Sequence, residues 1–294
     1  MKNDEPTVGR RVLLRTAVFL GIAAAAGLVT AGESQPPIPG ATGPAPAGGP
    51  PPAGAAGAPG LRAAGPPEKS YRLRPMTAEA PVRPPLAKPA VRARPILGLP
   101  DDVAHASAMA LTFDDGPDPR YTPAILDTLA RYQVRATFFV CGEVATDNRD
   151  LLRRMVTEGH VIGNHTWTHP LIPKLGRPAL LSEIGRTSEV VQQTIGEAPQ
   201  WFRAPYGAWN RAAFEIGADL GMEPLAWTLD TLDWKEPGTS AIVSRVQAGA
   251  GPGVIVLNHD AGGNRAQSVQ ALATYLPQLL ARGYRMTLPT LPPR

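Results

Sequence analysis

Residues 108–116 read AMALTFDDG, an apolar run that ends abruptly in two carboxylates and a glycine. The run 108–113 has the length and composition of a buried β-strand. Residues 115–118, Asp-Gly-Pro-Asp, are typical of a turn. The stretch therefore predicts a buried strand that delivers Asp114 and Asp115 to the point where a loop begins.

The chain that follows repeats this pattern, with short apolar runs alternating with longer amphipathic ones. Such alternation is typical of βα units and of a mostly parallel sheet. Gly159, Gly221 and Gly283 stand where predicted helices would end, and Thr122 before Pro123 is the predicted N-cap of the first helix. The predicted strands are 108–113, 136–141, 160–163, 200–203, 224–229, 253–257 and 284–288. The predicted helices are 122–132, 150–158, 178–195, 211–220, 239–248 and 267–282.

Polar side chains follow most of these strands at their carboxyl ends. In a βα-repeat sheet or barrel, functional residues gather where strands end and loops begin. We therefore expect these side chains to share one rim. They are Asp114 and Asp115 after the first strand, His165 and His169 after the third, Arg203 at the end of the fourth, Asp230 and Asp233 after the fifth, and His259 after the sixth.

Asp115, His165 and His169 offer two imidazole nitrogens and one carboxylate. This set suits a divalent ion that keeps open coordination positions, as a catalytic site requires. Pro170 directly after the second histidine places the pair on a loop. Zn²⁺ is the expected ion because imidazole suits it, and Co²⁺ is the alternative in the same geometry. Taken alone, the aspartates also fit a solvated turn and the histidines also fit a plain loop.

Hydrolysis of an amide at such an ion needs two further groups. One takes the proton of the attacking water, and the other protonates the departing amine. Asp114 and His259 are the natural pair, because both are expected at the same rim. Each group of this kind contributes roughly 10² to 10⁴ in rate.

Five ordered stretches carry a resemblance to a known family. They are TFDDG at 112–116, HTWTH at 165–169, RAPYG at 203–207, DTLDW at 230–234 and LNHD at 257–260. Together they resemble the motifs of the polysaccharide deacetylase family, the NodB-homology domains of carbohydrate esterase family 4. The resemblance runs from about Met109 to Leu288.

The resemblance implies a distorted (β/α)7 barrel, and the seven predicted strands agree with that count. It implies that Asp114 is the general base and that Asp115, His165 and His169 are the metal ligands. His259 would be the general acid. The implied reaction is hydrolytic removal of an acetyl group.

Supporting roles follow from the same resemblance. Arg203 would tune Asp114, Asp233 would tune His259, and the backbone N–H of Tyr206 would help stabilise the oxyanion.

The same resemblance places Trp234 and Leu257 in the acetyl-binding pocket. Pro205 in the third motif and Trp209 in the loop beside it are further candidates for substrate contact. Asn258 departs from the pattern, because an apolar residue is more usual there.

The expected substrate is an N-acetylhexosamine polymer. The preferred hypothesis is N-deacetylation of N-acetylglucosamine or N-acetylmuramic acid in peptidoglycan, or of a chitin-like oligomer. O-deacetylation of an acetylated xylan-type polymer is an alternative, because an ester carbonyl fits the same chemistry. A third hypothesis, from another class, is a non-catalytic module that binds wall glycans.

The first third of the chain has a different composition, dominated by proline, alanine and glycine. Residues 1–31 predict an export signal, because Arg10, Arg11 and Arg15 precede an apolar stretch that ends in small residues. The arginine pair favours the twin-arginine route, and the apolar stretch also suits general secretion. An uncleaved membrane anchor is the alternative. The protein is expected to be secreted or associated with the cell wall.

Residues 32–104 predict a disordered linker, because they offer too little apolar surface to offset chain entropy. The remaining residues 105–294 form the predicted catalytic domain. Basic linker residues would be available to anionic wall polymers, in keeping with a net charge of +4 and a pI near 9.4. Nucleic-acid binding is not expected, since no recognition helix accompanies these charges. The single cysteine, Cys141, is expected to be a buried core residue.

Overall fold

The computed structural model describes residues 88–104 and 106–293. Their strands are short and all run parallel. The strands are β1 (Ala108–Asp114), β2 (Thr137–Val140), β3 (Val161–Asn164), β4 (Trp201–Phe202), β5 (Glu223–Pro224), β6 (Leu229–Asp230), β7 (Ile255–His259) and β8 (Arg285–Met286). They form one sheet in the order β5-β4-β3-β2-β1-β7-β6, and β8 pairs with the start of β1.

Helices connect these strands. They are α1 (Asp101–Ala104), α2 (Thr122–Arg131), α3 (Gly142–Asp147), α4 (Arg149–Thr157), α5 (Arg177–Ile195), α6 (Arg211–Asp219), α7 (Thr239–Gly249) and α8 (Ala266–Ala281). Three short 3-10 turns lie at Ile172–Lys174, Pro205–Gly207 and Asp233–Lys235. No helix within the described residues is both long enough and apolar enough to span a bilayer. The predicted export signal or anchor lies outside those residues.

β1 is the central strand, and all seven of its residues are buried. Its end pairs with β2 on one side and with β7 on the other, so that Asp114 lies opposite both Phe139 and His259. Because all the strands are parallel, their carboxyl ends meet at one rim. The predicted α/β barrel is confirmed as a curled, distorted barrel, and the polar rim lies where the sequence places it.

The fifth predicted strand, 224–229, is not one strand. Its two ends form β5 and β6, which lie at opposite edges of the sheet. The described residues contain no strand pairing between β5 and β6, so the barrel is open at this point. The chain crosses the opening between the two edges.

Most of the core lies between β1, β2 and β7 and the helices that cover them, with Phe113 stacked on Phe138 at 5.1 Å. A second cluster lies around α5, α6 and β4. Cys141 is buried, as expected.

The residues just before the barrel were predicted to belong to the disordered linker, but residues 88–104 pack on the barrel. Ile96 forms a parallel bridge with Leu225 next to β5, and Leu99 joins a buried cluster with Trp201. Arg92 pairs with Glu223 at 2.5 Å. The predicted linker therefore extends too far along the chain. The short apolar run 96–99, which lies between two prolines, packs on the barrel, but the average composition of residues 32–104 does not reveal it. The part of the linker before residue 88 lies outside the described residues.

Two local predictions met different outcomes. Gly159, Gly221 and Gly283 follow helices with φ between 83° and 86°, a left-handed conformation that favours glycine. Thr122 is not an N-cap: α2 begins at Thr122 itself, and Tyr121 occupies the cap. The Thr122 hydroxyl instead takes part in contacts with the rim.

Candidate active site

Asp114 ends β1 and is buried beside Arg203, which directly follows β4. Arg203 is fully buried and donates from Nη1 to Asp114 Oδ1 at 2.7 Å. The same nitrogen donates to the Thr112 hydroxyl at 2.8 Å. Nε and Nη2 donate to the carbonyls of Leu225 and Ala226 at 3.1 and 2.7 Å. The guanidinium therefore has a fixed position, in which it binds one oxygen of the carboxylate, Oδ1.

Burial raises the pKa of Asp114, and the charge and hydrogen bond of Arg203 oppose that rise. Burial also dominates for Arg203, whose pKa is lowered from its usual value. A carboxylate with a raised pKa is a better proton acceptor than an exposed one near neutral pH. Asp114 is thus placed and tuned as a general base would be.

Asp115, His165 and His169 come together at the same rim. Asp115 Oδ1 lies 3.5 Å from His165 Nε2 and 3.2 Å from His169 Nε2. One ligand atom from each residue falls within 4.8 Å of the others. This is the predicted two-nitrogen, one-oxygen set, and it forms although the three residues come from two separate loops.

The state of these side chains fits a cation. His165 Nδ1 lies 2.8 Å from the carbonyl of Arg203, a contact that requires the proton on Nδ1 and leaves Nε2 as a lone-pair donor. Burial lowers the pKa of His165 to about 3, so the ring is neutral. Asp115 Oδ1 is buried and has no hydrogen-bond partner among the described residues. An orphaned carboxylate oxygen facing two imidazole nitrogens is what a divalent ion would satisfy.

His259 ends β7 next to Asp114 and pairs with Asp233. The ring nitrogen Nδ1 lies 2.7 Å from Asp233 Oδ1, and the backbone N–H of His259 donates to Oδ2 at 2.9 Å. Burial lowers the pKa of His259, but the hydrogen bond and charge of Asp233 outweigh it, and the pKa rises to about 9. The imidazole is therefore protonated at neutral pH, as a general acid must be.

Tyr206 lies in the 3-10 turn after Arg203 with φ 59° and ψ 9°. The residue is 67% exposed, and its ring meets the ring of His169 edge-on, with centroids 4.5 Å apart. Among the described residues, no acceptor takes a hydrogen bond from the Tyr206 backbone N–H. That free donor beside a metal-ligand candidate is in the position that an oxyanion contact would need.

The four predicted substrate contacts differ in their surroundings. Trp234 is 48% exposed, and Leu257 is buried on β7. Pro205 is buried in the turn that holds Tyr206. Trp209 stacks on Phe214 at 5.1 Å and meets Phe202 edge-on, so its contacts are those of a core residue. Trp209 is partly exposed as well, and its contact with a sugar stays a prediction.

Two polar residues outside the predicted catalytic set also contribute to the rim. The Ser268 hydroxyl on α8 donates to Asp233 Oδ2 at 2.7 Å. Arg265 is buried and donates to the carbonyls of Ala261 and Gly262 at 2.7 and 3.0 Å, in the loop after His259. Neither lies in a quoted stretch, and nothing in their local sequence distinguishes them from ordinary helix or loop residues.

Asp260 belongs to the fifth sequence stretch, 257–260, but the sequence predicts no role for it. It is buried, and its Oδ2 accepts from the Thr122 hydroxyl at 2.5 Å. Its backbone N–H donates to the carbonyl of Asp114 at 3.1 Å. Burial raises the pKa of Asp260 to about 7. The hydrogen bond from Thr122 lowers this pKa, and the negative charges of Asp115 and Asp114 raise it further. Only a glycine fits at 116, because a Cβ there would lie 2.2 Å from Asp260 Oδ2.

Comparison with known proteins identifies relatives of this chain. The sequence profile described as "Polysaccharide deacetylase" matches residues 102–225. A chitooligosaccharide deacetylase of Sinorhizobium fredii is 39% identical over 197 residues, which is 63% of this chain and 92% of that protein. A peptidoglycan-N-acetylglucosamine deacetylase of Bacillus cereus is 39% identical over 189 residues, which is 64% of this chain and 69% of that protein. The structure of the Bc1960 peptidoglycan N-acetylglucosamine deacetylase matches with a TM-score of 0.62 at 36% identity, over 65% of this chain and 88% of that one.

Proposed function

Because the chain belongs to the polysaccharide deacetylase family, we propose that it hydrolyses the N-acetyl groups of N-acetylhexosamine residues in a wall or chitin-like polysaccharide. The protein is a hydrolase that acts on amide bonds. One observation carries the proposal: a buried carboxylate, an Asp-His-His set and a protonated histidine lie together at the carboxyl ends of β1, β3 and β7. Metal-dependent amide hydrolysis uses these three parts, as a base, a metal site and an acid.

The metal centre is the first part of the proposal. Asp115, His165 and His169 would hold a divalent ion, and Zn²⁺ suits their nitrogen and oxygen donors, with Co²⁺ as the alternative. When bound, such an ion activates water and polarises a carbonyl. The neutral ring of His165, held at Nδ1 by the Arg203 carbonyl, is oriented for this role before any ion arrives.

The proton transfers fall to residues on either side of this centre. Asp114, held by Arg203, accepts the proton of the attacking water. His259, held by Asp233, gives its proton to the nitrogen of the leaving sugar amine. Asp114 and His259 are paired residues of neighbouring strands, so the sheet itself fixes the separation between base and acid. The Tyr206 backbone N–H donates to the oxyanion, while Trp234, Leu257 and Pro205 shape the acetyl site.

The substrate proposal rests on the names of the relatives. Their names specify chitooligosaccharide and peptidoglycan N-acetylglucosamine, and both substrates present an N-acetyl group on a hexosamine. We propose that the protein acts outside the cytoplasmic membrane, exported through residues 1–31. Comparison of the N-terminus of the mature protein with Met1 would test that export. Recovery of the full-length chain only from the cytosolic fraction would contradict export, whereas a full-length chain in the membrane fraction would indicate the uncleaved anchor.

Acetate release tests the function directly. Purified protein would be incubated with peptidoglycan, N-acetylated chitooligosaccharide and acetylated xylan, each after treatment with a chelator and again after Zn²⁺ or Co²⁺ is returned. We expect metal-dependent acetate release from one or both N-acetylated substrates. Release from xylan alone would establish O-deacetylation instead, and glycan binding without acetate release would establish a binding module.

A further inference from the structure

The loop between the two histidine ligands has a constrained backbone. Thr166 and His169 have φ values of 70° and 58°, although neither is a glycine. Left-handed backbone at such residues is sparsely populated, and it persists only where neighbouring contacts hold it. His169 is one of the proposed ligands, so its ring can face Asp115 only while this loop keeps its shape.

The amino end of α3 holds the carbonyl groups of the loop. The backbone N–H of Gly142 donates to the Thr166 carbonyl at 2.9 Å, and that of Glu143 donates to the Trp167 carbonyl at 3.2 Å. Gly142 is required for this approach, because a Cβ there would lie 2.3 Å from the Trp167 ring. The carbonyls on one side of the loop are thereby satisfied by free helical N–H groups.

The side chain of Glu183 on α5 holds the other polar groups of the loop. Its Oε2 accepts from the backbone N–H groups of Trp167 and Thr168, both at 2.8 Å. Its Oε1 accepts from the Thr168 hydroxyl at 2.9 Å. One turn further along α5, the Arg186 guanidinium lies 3.9 Å above the Trp167 ring. The 19-residue helix α5 therefore contacts the middle of the loop, Trp167 and Thr168, through the carboxylate of Glu183 and the guanidinium of Arg186.

We propose that Glu183 is a positioning residue for the metal site, which it serves by holding residues 166–168 so that His165 and His169 converge on Asp115. The inference rests on the proposed metal centre. Glu183 lies outside the five sequence stretches and acts on the ligands only through the loop backbone. Without it, two backbone N–H groups lose their acceptor, and the left-handed residues at either end lose the contact that fixes them.

Three substitutions separate position from charge. Glu183→Gln keeps the length of the side chain and removes its charge. The hydrogen bonds can be kept, because the amide oxygen can accept from both N–H groups while the NH₂ group donates to the Thr168 hydroxyl. Glu183→Asp keeps the charge and shortens the reach by one methylene. Glu183→Leu removes both. Glu189→Leu is the matched control, since Glu189 lies on the same helix and, within the described part of the chain, accepts its hydrogen bond from Gln193 of that helix.

The purified chain and each variant would be titrated with Zn²⁺ against a chromophoric chelator. Amide hydrogen exchange at Trp167 and Thr168 would be measured on the metal-free proteins. Loss of an outer partner of a metal ligand typically costs about 10- to 100-fold in affinity. We expect a loss of that size for Glu183→Leu, a smaller loss in the same direction for Glu183→Asp, and values close to wild type for Glu183→Gln and Glu189→Leu. The amides should exchange faster in the Leu and Asp variants only.

Two outcomes among the folded variants would overturn the inference. If the Gln variant loses affinity while the Asp variant does not, the charge of Glu183 matters and its position does not. If the Leu variant binds Zn²⁺ as tightly as the wild type, the loop needs no such support. If the Leu variant does not fold, the comparison of Gln with Asp still decides. Failure of the wild-type protein to bind Zn²⁺ would overturn the metal centre as well, which distinguishes that failure from the others.

Discussion

Asp114 and Asp115 are identical side chains in adjacent positions, and their surroundings give them different chemistry. Asp114 continues the strand and turns into the barrel, where it meets the fully buried guanidinium of Arg203. Asp115 leaves the strand with φ 76° and faces the two histidines, with one oxygen unpartnered. The change of backbone conformation between the two residues gives them the different surroundings that the proposed base and the proposed ligand need.

Substitution of these two residues should separate binding from turnover. In Asp114→Asn we expect Zn²⁺ affinity to be retained and kcat to fall by roughly 10²- to 10⁴-fold, because the amide cannot accept the proton. Asp115→Asn should instead weaken metal binding. Chelator competition and acetate release on the same preparations provide the test. A large loss of metal by the Asp114 variant would mean that both carboxylates are ligands.

The pH dependence should reflect the pair of His259 and Asp233. The pKa of His259 is raised to about 9, so the acid is protonated below that pH and is lost as the pH rises through it. The ion pair therefore stabilises the fold fully below about pH 6.5, the ordinary histidine pKa, and loses that contribution towards pH 9. A bound cation would offset the charges of Asp114 and Asp115, which places the alkaline limb at or below pH 9.

In Asp233→Asn the main group that raises the pKa of His259 is gone, while burial, which lowers it, remains. We expect the alkaline limb of kcat/KM to move to lower pH by about one unit or more, a scale typical of a lost charge partner. Profiles of wild type and variant between pH 5 and 10 would show the shift. Superimposable alkaline limbs would remove Asp233 from the role of tuning the acid.

At the scale of elements, β7 and α8 are joined by a buried polar pair at the position where the sequence departs from the family pattern. Asn258 Oδ1 accepts from the Tyr275 hydroxyl at 2.9 Å, and Asn258 Nδ2 donates to the carbonyl of Thr112 at 3.2 Å. Both Asn258 and Tyr275 are buried. The amide that looked out of place in the sequence therefore has partners on a helix and on the neighbouring strand.

This pair should show strong coupling in stability. Tyr275→Phe leaves a buried amide oxygen unpaired and should lower the free energy of unfolding by about 1–3 kcal/mol. Asn258→Leu should cost a similar amount because it leaves the Tyr275 hydroxyl unpaired. The double variant should cost clearly less than the sum, since two apolar partners replace two polar ones. Urea unfolding of the four proteins measures the coupling, and strictly additive losses would contradict it.

Elements were predictable where periodicity and length both point to one structure. The long helices α5 and α8 and the strand β1 have such patterns, and six of the seven predicted strands each overlap a single observed strand. The sequence of the run 224–229 does not show that it forms two strands, β5 and β6. Its apolar character is the same whether its ends pair with one neighbouring strand or with two different ones, β4 and β7. α3 was missed because six residues with little apolar periodicity resemble a turn.

The site was predictable as far as its motifs extend. The three ligand candidates, the proposed base Asp114, the proposed acid His259 and Arg203 all lie at the rim where the sequence places them. The roles of Glu183, Ser268 and Thr122 were not found, because each depends on contacts with an element that is separate in the sequence. An isolated glutamate on a helix surface and a serine in a helix have no local feature that reveals such a partner.

At the scale of the whole molecule, the segment before the barrel extends the open edge of the sheet. The backbone N–H of Ile96 donates to the Pro224 carbonyl, and the N–H of Ala226 donates to the Ile96 carbonyl, both at 2.8 Å. An uncovered edge strand exposes unpaired backbone groups that invite association. Residues 88–104 thus supply hydrogen-bond partners for backbone groups at this edge, which a neighbouring strand would supply in a closed barrel.

Removal of this segment should destabilise the barrel and promote its association. A chain that begins at residue 106 should unfold at a lower temperature than one that begins at residue 88. Leu99→Ala in the longer chain should cost about 2–5 kcal/mol, as is typical for a buried leucine. Thermal unfolding and light scattering would measure both effects. Equal midpoints for the two chains would show that the segment contributes nothing to stability.

Arg203 meets both halves of the site through different parts of the same residue. Its side chain holds the base Asp114, while its backbone carbonyl holds the ring of His165. Every amino acid has a backbone carbonyl, so only the contact with Asp114 depends on which side chain is present at position 203. Natural or laboratory variation at this position can alter how the base is held, while a hydrogen-bond acceptor for the imidazole stays available in every variant.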